Sequence, residues 1–367
     1  MDSIKVPDYI ARLKAYVAGK PIEELEREYG ISDSIKLASN ENPLGPSPRA
    51  VAAIMGRVKD LHRYPDANSH LLRERLAEKL HVQSPQIVLG NGSNEIIELL
   101  VRTFLQEGDE VIMPTPSFLM YEIMVQAGGG TPVKVPLKER VVDLEAMARQ
   151  LSGRTRMVFV NNPNNPTGTI VSRDGFEWFL GEIPSTALVV VDEAYIEFVR
   201  DRHCPVGLDY LDNEKTVVGL RTFSKAYGLA GLRLGYGVMR QELADLIHRV
   251  RQPFNVNSLA QIGALAALDD DEFFDETIRT IHLGLVFFFE QLEGLGLQCF
   301  PSQTNFFLVD VQRDAKSVFE GMLRRGVIIR PMTAYGYPTY IRINVGLPEE
   351  NQRCVQALKE VLQGESG

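Results

Sequence analysis

The chain has 367 residues, long enough for two domains and for a large core that needs neither disulfides nor metals to fold. Its 48 acidic residues outnumber the 39 Lys and Arg residues, and the net charge of −9 argues against the basic face of a nucleic-acid-binding protein. The three cysteines form no CxxC pair and the six histidines form no HxxxH pair, so the sequence predicts no metal site and a reducing compartment.

The beginning of the chain, MDSIKVPDYIARLKAYVAGK, lacks the apolar core of a secretory signal. No apolar run in the sequence approaches the roughly 20 residues that a membrane-spanning helix requires. We therefore expect a cytoplasmic protein that has no membrane partner.

Short apolar runs rich in Val, Ile and Leu recur through the first two thirds of the chain and predict strands buried on both faces. They are Gln86–Leu89, Glu110–Met113, Met157–Val160, Ala187–Val191, Thr216–Leu220 and Leu234–Met239. Helical patterns lie between them, for example at Asn94–Glu107 and Gly175–Gly181. This alternation of strands and helices predicts an α/β layer architecture.

The last third of the chain has a different pattern, which predicts a smaller α+β domain. A long amphipathic segment from about Ser258 to Leu295 is followed by shorter elements. These are Asn305–Val309, a helix near Ala315–Arg325, strands near Val327–Arg330 and Tyr340–Val345, and a helix near Glu350–Gln363. We expect residues 1–40 to pack with this part, so that the large domain is 41–257 and the small domain is 1–40 and 258–367.

Polar residues follow several predicted strands, and ligands bind beyond the carboxyl ends of the strands in open α/β sheets. After the first strand, Gly90–Asn94 leads into a helix and can present backbone N–H groups to a phosphate. A plain strand–helix junction with Ser93 or Asn94 as the N-cap is the structural alternative. After the third strand, Asn161–Gly168 contains more side-chain amides than a turn needs.

Two charged residues follow later strands, Asp192 after the fourth and Lys225 shortly after the fifth. A carboxylate at the end of a buried strand needs a cation or a hydrogen-bond donor, unless Asp192 only caps a helix. Lys225 lies among hydroxyls, small residues and apolar residues, where shielding lowers the pKa of an amine and makes it a nucleophile or base. Arg233 follows nearby. Gly228 and Gly231 lack the spacing of a dinucleotide-binding fingerprint.

Together these residues resemble the fold-type I, class II aminotransferases that depend on pyridoxal 5′-phosphate (PLP), and among them the histidinol-phosphate aminotransferase branch. The resemblance covers nearly the whole chain, through motifs in a shared order. They are Gly19–Glu24, Lys36–Pro43, Arg63–Asp66, Asn164–Gly168, Asp192–Tyr195, Ser224–Ala226, Gly231–Arg233, Gly326–Arg330 and Tyr340–Arg342. The resemblance implies a three-layer large domain with a mostly parallel central sheet, and a smaller α+β domain.

The resemblance also implies PLP as the cofactor, which the protein binds, orients and polarises. Lys225 would bond to the aldehyde of PLP and then move the proton at the substrate Cα. Asp192 would keep the pyridine nitrogen protonated, which also provides the partner that its carboxylate needs. Asn165 and Tyr195 would hydrogen-bond the phenolic oxygen of the ring. Phe118 would stack on the ring face, unless it only packs in the core.

A phosphate cup and a second subunit are further implications of the resemblance. The cup would consist of the N–H groups of Gly92, Ser93 and Asn94, the hydroxyls of Thr222 and Ser224, and the charge of Arg233. Tyr64 would reach the phosphate of the neighbouring subunit, which implies a homodimer with shared active sites. The structural alternative for Tyr64 and Pro65 is a simple turn.

For substrate binding, the resemblance points to Arg330, Arg342, Asn42 and Tyr16. A guanidinium binds a carboxylate or a phosphate through two parallel hydrogen bonds, so Arg342 suits both glutamate and histidinol phosphate. The alternative for Arg330 is a surface ion pair. The implied reaction is transamination of L-histidinol phosphate with 2-oxoglutarate, which gives imidazole acetol phosphate and L-glutamate in histidine biosynthesis.

The residues leave other functions open. Aromatic amino acids are an alternative substrate class, because the choice depends on the shape of the pocket. Decarboxylation of a phosphorylated amino acid such as threonine phosphate is an alternative reaction, because geometry decides which bond breaks. A transcriptional regulator would need a DNA-binding module before Lys36, and a nicotinamide dehydrogenase would need a glycine fingerprint. The sequence contains neither feature.

Overall fold

The computed structural model of the protein describes residues 5–15 and 21–364. In these ranges the helices are α1 (Asp8–Ala11), α2 (Ile22–Tyr29), α3 (Pro48–Met55), α4 (His70–Leu80), α5 (Ser93–Phe104), α6 (Met120–Ala127), α7 (Leu144–Ala148), α8 (Arg173–Glu182), α9 (Gln241–Val250), α10 (Ser258–Leu268), α11 (Asp271–Glu293), α12 (Ala315–Arg324) and α13 (Pro348–Gln363). Every helix in the described ranges is too short or too polar to cross a membrane.

The strands of the same ranges form three sheets. They are β1 (Ile35–Lys36), β2 (Ile87–Gly90), β3 (Glu110–Thr115), β4 (Thr131–Pro136), β5 (Thr155–Asn161), β6 (Leu188–Asp192), β7 (Thr216–Thr222), β8 (Gly235–Val238), β9 (Gln298–Cys299), β10 (Phe306–Asp310), β11 (Val327–Ile328), β12 (Arg330–Pro331) and β13 (Tyr340–Asn344). The predicted strand positions agree with these bounds to within a few residues.

The central sheet has seven strands in the order β2-β8-β7-β6-β5-β3-β4. Six of them run parallel, and β8 is antiparallel to both of its neighbours, β2 and β7. The middle strands are rich in Val and buried on both faces, because α5, α6 and α9 cover one face and α7 and α8 cover the other. The predicted α/β fold with a mostly parallel central sheet is confirmed.

The edge strand β4 has no counterpart among the predicted strands. It pairs with β3 alone, and its sequence TPVKVP contains two prolines and Lys134. Such residues suit an edge strand. Proline has no N–H group to donate to a further strand, and a charged lysine side chain hinders pairing with a strand of another chain. Only Val135 of this strand is buried, so no apolar run marks it in the sequence.

The C-terminal part contains an antiparallel sheet in the order β12-β13-β10-β9, which shares a core with α11, α12 and α13. Strand β1 pairs in parallel with β11 of this part. The amphipathic segment predicted from Ser258 to Leu295 is two helices, α10 and α11, with a break at Asp269 and Asp270. The Ser47 hydroxyl donates a hydrogen bond to Asp270 at 2.5 Å, which holds this break against the start of α3.

Helix α10 packs on the helices beside the central sheet. Ala260, Ala264 and Ala267 share one apolar core with Ala50 of α3 and Leu72 of α4. Helix α11 belongs instead to the core of the C-terminal sheet. Helix α10 thus packs beside the central sheet, and the division of the chain into 41–257 and 1–40 with 258–367 stays a prediction.

Candidate active site

A cavity of about 250 Å³ lies at the carboxyl ends of β2, β5, β6 and β7, and β12 and β13 of the C-terminal sheet complete its wall. It brings together most of the predicted site residues, namely Gly92, Ser93, Asn94, Phe118, Asn165, Asp192, Tyr195, Thr222, Ser224, Lys225, Arg233, Arg330 and Arg342. These residues are far apart in the sequence. They meet because the carboxyl ends of parallel strands lie at the same edge of a sheet.

Lys225 lies in the loop after β7 and lines the cavity. Its Nζ donates a hydrogen bond to the backbone oxygen of Ser39 at 2.9 Å. Burial, together with the cationic Arg342 and Arg233, lowers the pKa of Lys225 to about 7 against the opposing charge of Glu41. A large share of the amine is therefore neutral near pH 7 and available as a nucleophile or base.

Asp192 ends β6 and is only 3% exposed. Its Oδ2 accepts a hydrogen bond from the Tyr121 hydroxyl at 2.6 Å, and its Oδ1 accepts one from the Ala194 N–H at 3.2 Å. Burial raises the pKa of Asp192 to about 6, and the two donors limit this rise because they favour the ionised form. The helix-cap alternative is wrong, because the next helical turn starts at Ile196 and has no side-chain cap.

Tyr195 follows β6, and its hydroxyl accepts a hydrogen bond from Asn40 Nδ2 at 2.9 Å. Burial raises the pKa of Tyr195 to about 12, although the charge of Arg342 opposes this rise. The phenol therefore keeps its proton near neutral pH and can donate it to an oxygen in the cavity. Asn165 accepts a hydrogen bond from Arg342 through Oδ1, which fixes the orientation of its amide.

The start of α5 forms one side of a cup. Gly92, rather than Ser93 or Asn94, is the N-cap of this helix, and its φ is +74°. A Cβ atom at Gly92 would lie 2.6 Å from Arg233 Nη2, so glycine allows the guanidinium to approach the N–H groups of the helix start. Arg233 Nη1 also donates to Ser224 Oγ at 3.3 Å. Backbone N–H groups, a hydroxyl and a guanidinium thus converge, as an anion-binding site requires.

Arg342 and Arg330 face each other in the register of the antiparallel strands β13 and β12. Arg342 is only 6% exposed, and its Nη2 donates a hydrogen bond to the backbone oxygen of Ala38 at 2.8 Å. Its guanidinium also lies 5.0 Å from the centre of the Phe306 ring. Arg330 lines the same cavity, and the surface ion pair stays the alternative for it.

Two predicted site residues in the described part of the chain, Asn42 and Tyr64, are not among those that line the cavity. The Asn42 amide donates to Thr277 Oγ1 and to a backbone oxygen, both at 3.0 Å, so it joins chain segments beside the cavity. Tyr64 is 83% exposed and stacks on Phe254 with ring centres 4.7 Å apart. Tyr16 lies outside the described residues. In the described part of the chain, no group of His, Cys, Asp and Glu side chains is arranged to hold a metal ion.

Sequence reasoning assigned no role to two residues that hold the site together, Tyr121 and Asn40, although Asn40 lies in the motif Lys36–Pro43. Tyr121 is 71 positions from Asp192 and Asn40 is 155 positions from Tyr195, so no local motif joins either pair. The sequence does indicate that a buried Asp192 needs a hydrogen-bond donor, and Tyr121 is a residue of the kind that meets this need.

The comparison with known proteins agrees with this geometry. The sequence matches the family described as aminotransferase class I and II over residues 32–358. A histidinol-phosphate aminotransferase of Desulfotalea psychrophila is 48% identical over 98% of this chain and 96% of its own length. Histidinol-phosphate aminotransferase 2 of Pseudomonas aeruginosa is 48% identical over 96% of each chain.

A solved structure extends the comparison to three dimensions. The histidinol-phosphate aminotransferase of Sinorhizobium meliloti, in complex with pyridoxal 5′-phosphate, superimposes with a TM-score of 0.91 at 29% identity. The similarity covers 100% of both chains. The family match and the long alignments lead to one conclusion: the chain belongs to the aminotransferase class I and II family.

Proposed function

We propose that this protein is a PLP-dependent histidinol-phosphate aminotransferase. It transfers the amino group of L-histidinol phosphate to 2-oxoglutarate and yields imidazole acetol phosphate and L-glutamate, a step of histidine biosynthesis. The observation that carries this proposal is the cavity, where a shielded amine, a buried carboxylate and an anion-binding cup lie beside two arginines. The choice of substrate rests on the relatives named histidinol-phosphate aminotransferase.

The polar groups that line the cavity fit PLP. The carboxylate of Asp192 suits a protonated ring nitrogen, and the neutral amine of Lys225 suits an aldehyde. The cup between Gly92 and Arg233 suits a phosphate, since a Cβ atom at position 92 would fill part of it. The other residues assigned to the phosphate are Ser93, Asn94, Thr222 and Ser224, and those assigned to the ring are Phe118, Asn165 and Tyr195.

Proton movement at the substrate Cα is assigned to Lys225. When bound, PLP supplies an electron sink for the electron pair that remains at Cα after the proton leaves. The Nζ atom of Lys225 takes that proton, because a pKa of about 7 leaves much of the amine neutral. Asp192 would hold a positive charge at the ring nitrogen, and Tyr195, which keeps its own proton, would donate a hydrogen bond to the phenolic oxygen of the ring.

Arg342 and Arg330 bind the anionic groups of both substrates. Glutamate has carboxylates, whereas histidinol phosphate has a phosphate monoester and no carboxylate. A planar guanidinium binds either group through two parallel hydrogen bonds, so one pair of arginines serves both halves of the reaction. Asn42 and Tyr16 stay predictions as further substrate-binding residues.

The functional unit that we propose is a homodimer in which Tyr64 of one subunit reaches the phosphate cup of the other. Tyr64 is 83% exposed and lines a surface groove with Leu71, and Met55 and Leu61, nearby in the chain, are exposed as well. A cluster of exposed apolar side chains is typical of a surface that a partner covers. Analytical ultracentrifugation of the purified protein tests this, and a monomer at micromolar concentration would contradict it.

We also propose that the protein acts in the cytoplasm, with small-molecule substrates and without a nucleic-acid partner. The cysteines Cys204, Cys299 and Cys354 are unpaired, as expected in a reducing compartment. The net charge of −9 is unfavourable for binding a polyanion. Fractionation of the source cells, with detection of the protein in each fraction, tests this location.

The absorption spectrum of the PLP-loaded protein tests the proposed reaction. Adding L-histidinol phosphate without a keto acid should convert the visible band of the loaded protein into the band of the aminated cofactor. Conversion by phenylalanine or tyrosine, but not by histidinol phosphate, would instead indicate an aromatic aminotransferase. Release of carbon dioxide from threonine phosphate would indicate a decarboxylase, and failure to bind PLP would contradict the cofactor assignment.

A further inference from the structure

Tyr121 lies in α6, and its side chain is completely buried. Its ring stacks on Phe159 of β5, with ring centres 4.4 Å apart and 8° between the ring planes. It also meets the ring of Phe118 edge-on, with ring centres 5.5 Å apart and 84° between the planes. These two contacts hold the ring in one orientation, so the hydroxyl has a fixed place at the end of β6.

The Tyr121 hydroxyl donates a hydrogen bond to Asp192 Oδ2 at 2.6 Å. This length lies in the range of about 2.5–2.7 Å that is typical of a hydrogen bond from O–H to a charged oxygen. Burial and the charge of Asp192 raise the pKa of Tyr121 well above its ordinary value, so the phenol keeps its proton and remains the donor. The hydrogen bond therefore stabilises the ionised carboxylate over the neutral acid.

We propose that Tyr121 is a positioning residue that keeps the Asp192 carboxylate ionised and oriented toward the cavity, an inference that rests on the proposed PLP-dependent function. Without this hydroxyl, burial would favour the neutral acid, which cannot hold a positive charge on the ring nitrogen. Tyr121 also contacts Phe118, which lines the same cavity. One side chain thus supports both the residue assigned to the ring nitrogen and the residue assigned to the ring face.

Other titratable groups near Asp192 do not take the place of this hydrogen bond. Glu193, the next residue in the chain, repels the charge of Asp192 and so raises its pKa. Tyr195 keeps its own proton and accepts a hydrogen bond from an asparagine. Lys225 lines the same cavity but donates to a backbone oxygen. The Tyr121 hydroxyl is therefore the side-chain donor that favours the ionised carboxylate.

The pKa of Asp192 in the full-length protein without PLP tests this inference without any measurement of turnover. Carbon-13 NMR of aspartate-labelled protein measures it, and the resonance is identified by its loss in Asp192→Asn. Tyr121→Phe keeps the ring and should raise this pKa by about one pH unit. Incorporation of 3-fluorotyrosine at position 121 makes the hydroxyl a stronger donor and should lower the pKa. Tyr210→Phe is the matched control, because it removes a hydroxyl that donates to Glu177 at 3.0 Å away from the cavity.

Binding of PLP distinguishes this inference from the proposed function. Tyr121→Phe should weaken PLP binding severalfold, and more below neutral pH than above it, because only the ionised carboxylate pairs with the ring nitrogen. If both changes at position 121 leave the pKa of Asp192 as it is in the wild-type protein, the inference is wrong. If the wild-type protein fails to bind PLP, the proposed function is wrong, and the pKa comparison still decides the effect of Tyr121 on Asp192.

Discussion

Arg342 Nη1 donates a hydrogen bond to Asn165 Oδ1 at 2.5 Å, although the two residues are 177 positions apart. Arg342 belongs to β13 of the C-terminal sheet, whereas Asn165 lies in the loop after β5 of the central sheet. The hydrogen bond joins a side chain assigned to the substrate with one assigned to the cofactor ring. We therefore expect changes at this pair to affect the binding of both.

Replacing Arg342 by lysine should lower kcat/KM by about 100-fold for both amino donor and keto acid. The charge stays, but lysine lacks the planar pair of donors that serves a carboxylate, a phosphate and Asn165 together. Steady-state kinetics with each substrate measures the effect. Arg279→Lys is the control, because that arginine forms an exposed ion pair with Glu276 and should leave both constants unchanged. Equal losses in the two variants would contradict the role of Arg342.

Lys225→Ala should reduce turnover by at least about 10³-fold while the protein stays folded. The variant lacks the amine that moves the proton, but the cup between Gly92 and Arg233 remains and should retain PLP. Initial-rate measurements, equilibrium dialysis with PLP and circular dichroism test these three expectations. Lys79→Ala serves as the control, since Lys79 pairs with Asp271 at 3.3 Å outside the cavity. Full activity of Lys225→Ala would exclude the assigned role.

The rate at which the PLP-free protein bonds to PLP should rise with pH through about 7 and then level off. Only the neutral amine of Lys225 attacks an aldehyde, and the pKa of this lysine is lowered to about 7. Because the charge of Arg342 contributes to that lowering, Arg342→Gln should move the midpoint to higher pH. Stopped-flow absorption at a series of pH values gives both midpoints. A midpoint near 10 in the wild-type protein, the range of an ordinary lysine, would argue against a shielded amine.

Asp192→Asn should lower the rate strongly but stabilise the PLP-free protein. Burial raises the pKa of Asp192 from an ordinary 3.8 to about 6, so the folded state disfavours the charge. This penalty is fully present above pH 6 and disappears below about pH 4, where the group is protonated in both states. The variant should gain on the order of 1–3 kcal/mol in the free energy of unfolding above pH 6. Urea denaturation across this pH range measures the gain, and a gain that does not depend on pH would refute the explanation.

Glu193→Gln should lower the free energy of unfolding by about 3 kcal/mol, because it removes the buried carboxylate that pairs with the mostly buried Arg221. Glu193 is completely buried, and its Oε2 lies 3.0 Å from Arg221 Nε, while Oε1 accepts the Gly207 N–H at 2.5 Å. Urea denaturation measures the loss. In Glu276→Gln, which breaks an exposed ion pair, the change should stay below about 1 kcal/mol. Similar values for the two variants would show that burial does not strengthen the Glu193 pair.

The sequence by itself determined the middle of the central sheet and the residues at its carboxyl edge. Val-rich runs such as Val189–Val191 have to be buried on both faces, and a parallel sheet between two helical layers provides that environment. Asp192 lies at the end of one of these strands and Lys225 shortly after the next, so their meeting at one edge follows from strand direction. The edge strand β4 was not predicted, because its mostly exposed sequence contains two prolines and no run of buried apolar residues.

Only the tertiary structure decided which side chains serve as partners in the site. Tyr121 and Asp192 are 71 positions apart, and their hydrogen bond depends on how α6 packs against the end of β6. Asn42 belongs to a recognisable motif, yet packing turns its amide to Thr277 beside the cavity. Sequence periodicity predicts which residues are buried, because apolar residues that recur with the period of a helix or a strand lie on one face of that element. The choice of partner depends on contacts between distant elements, and those exist only after the chain has folded.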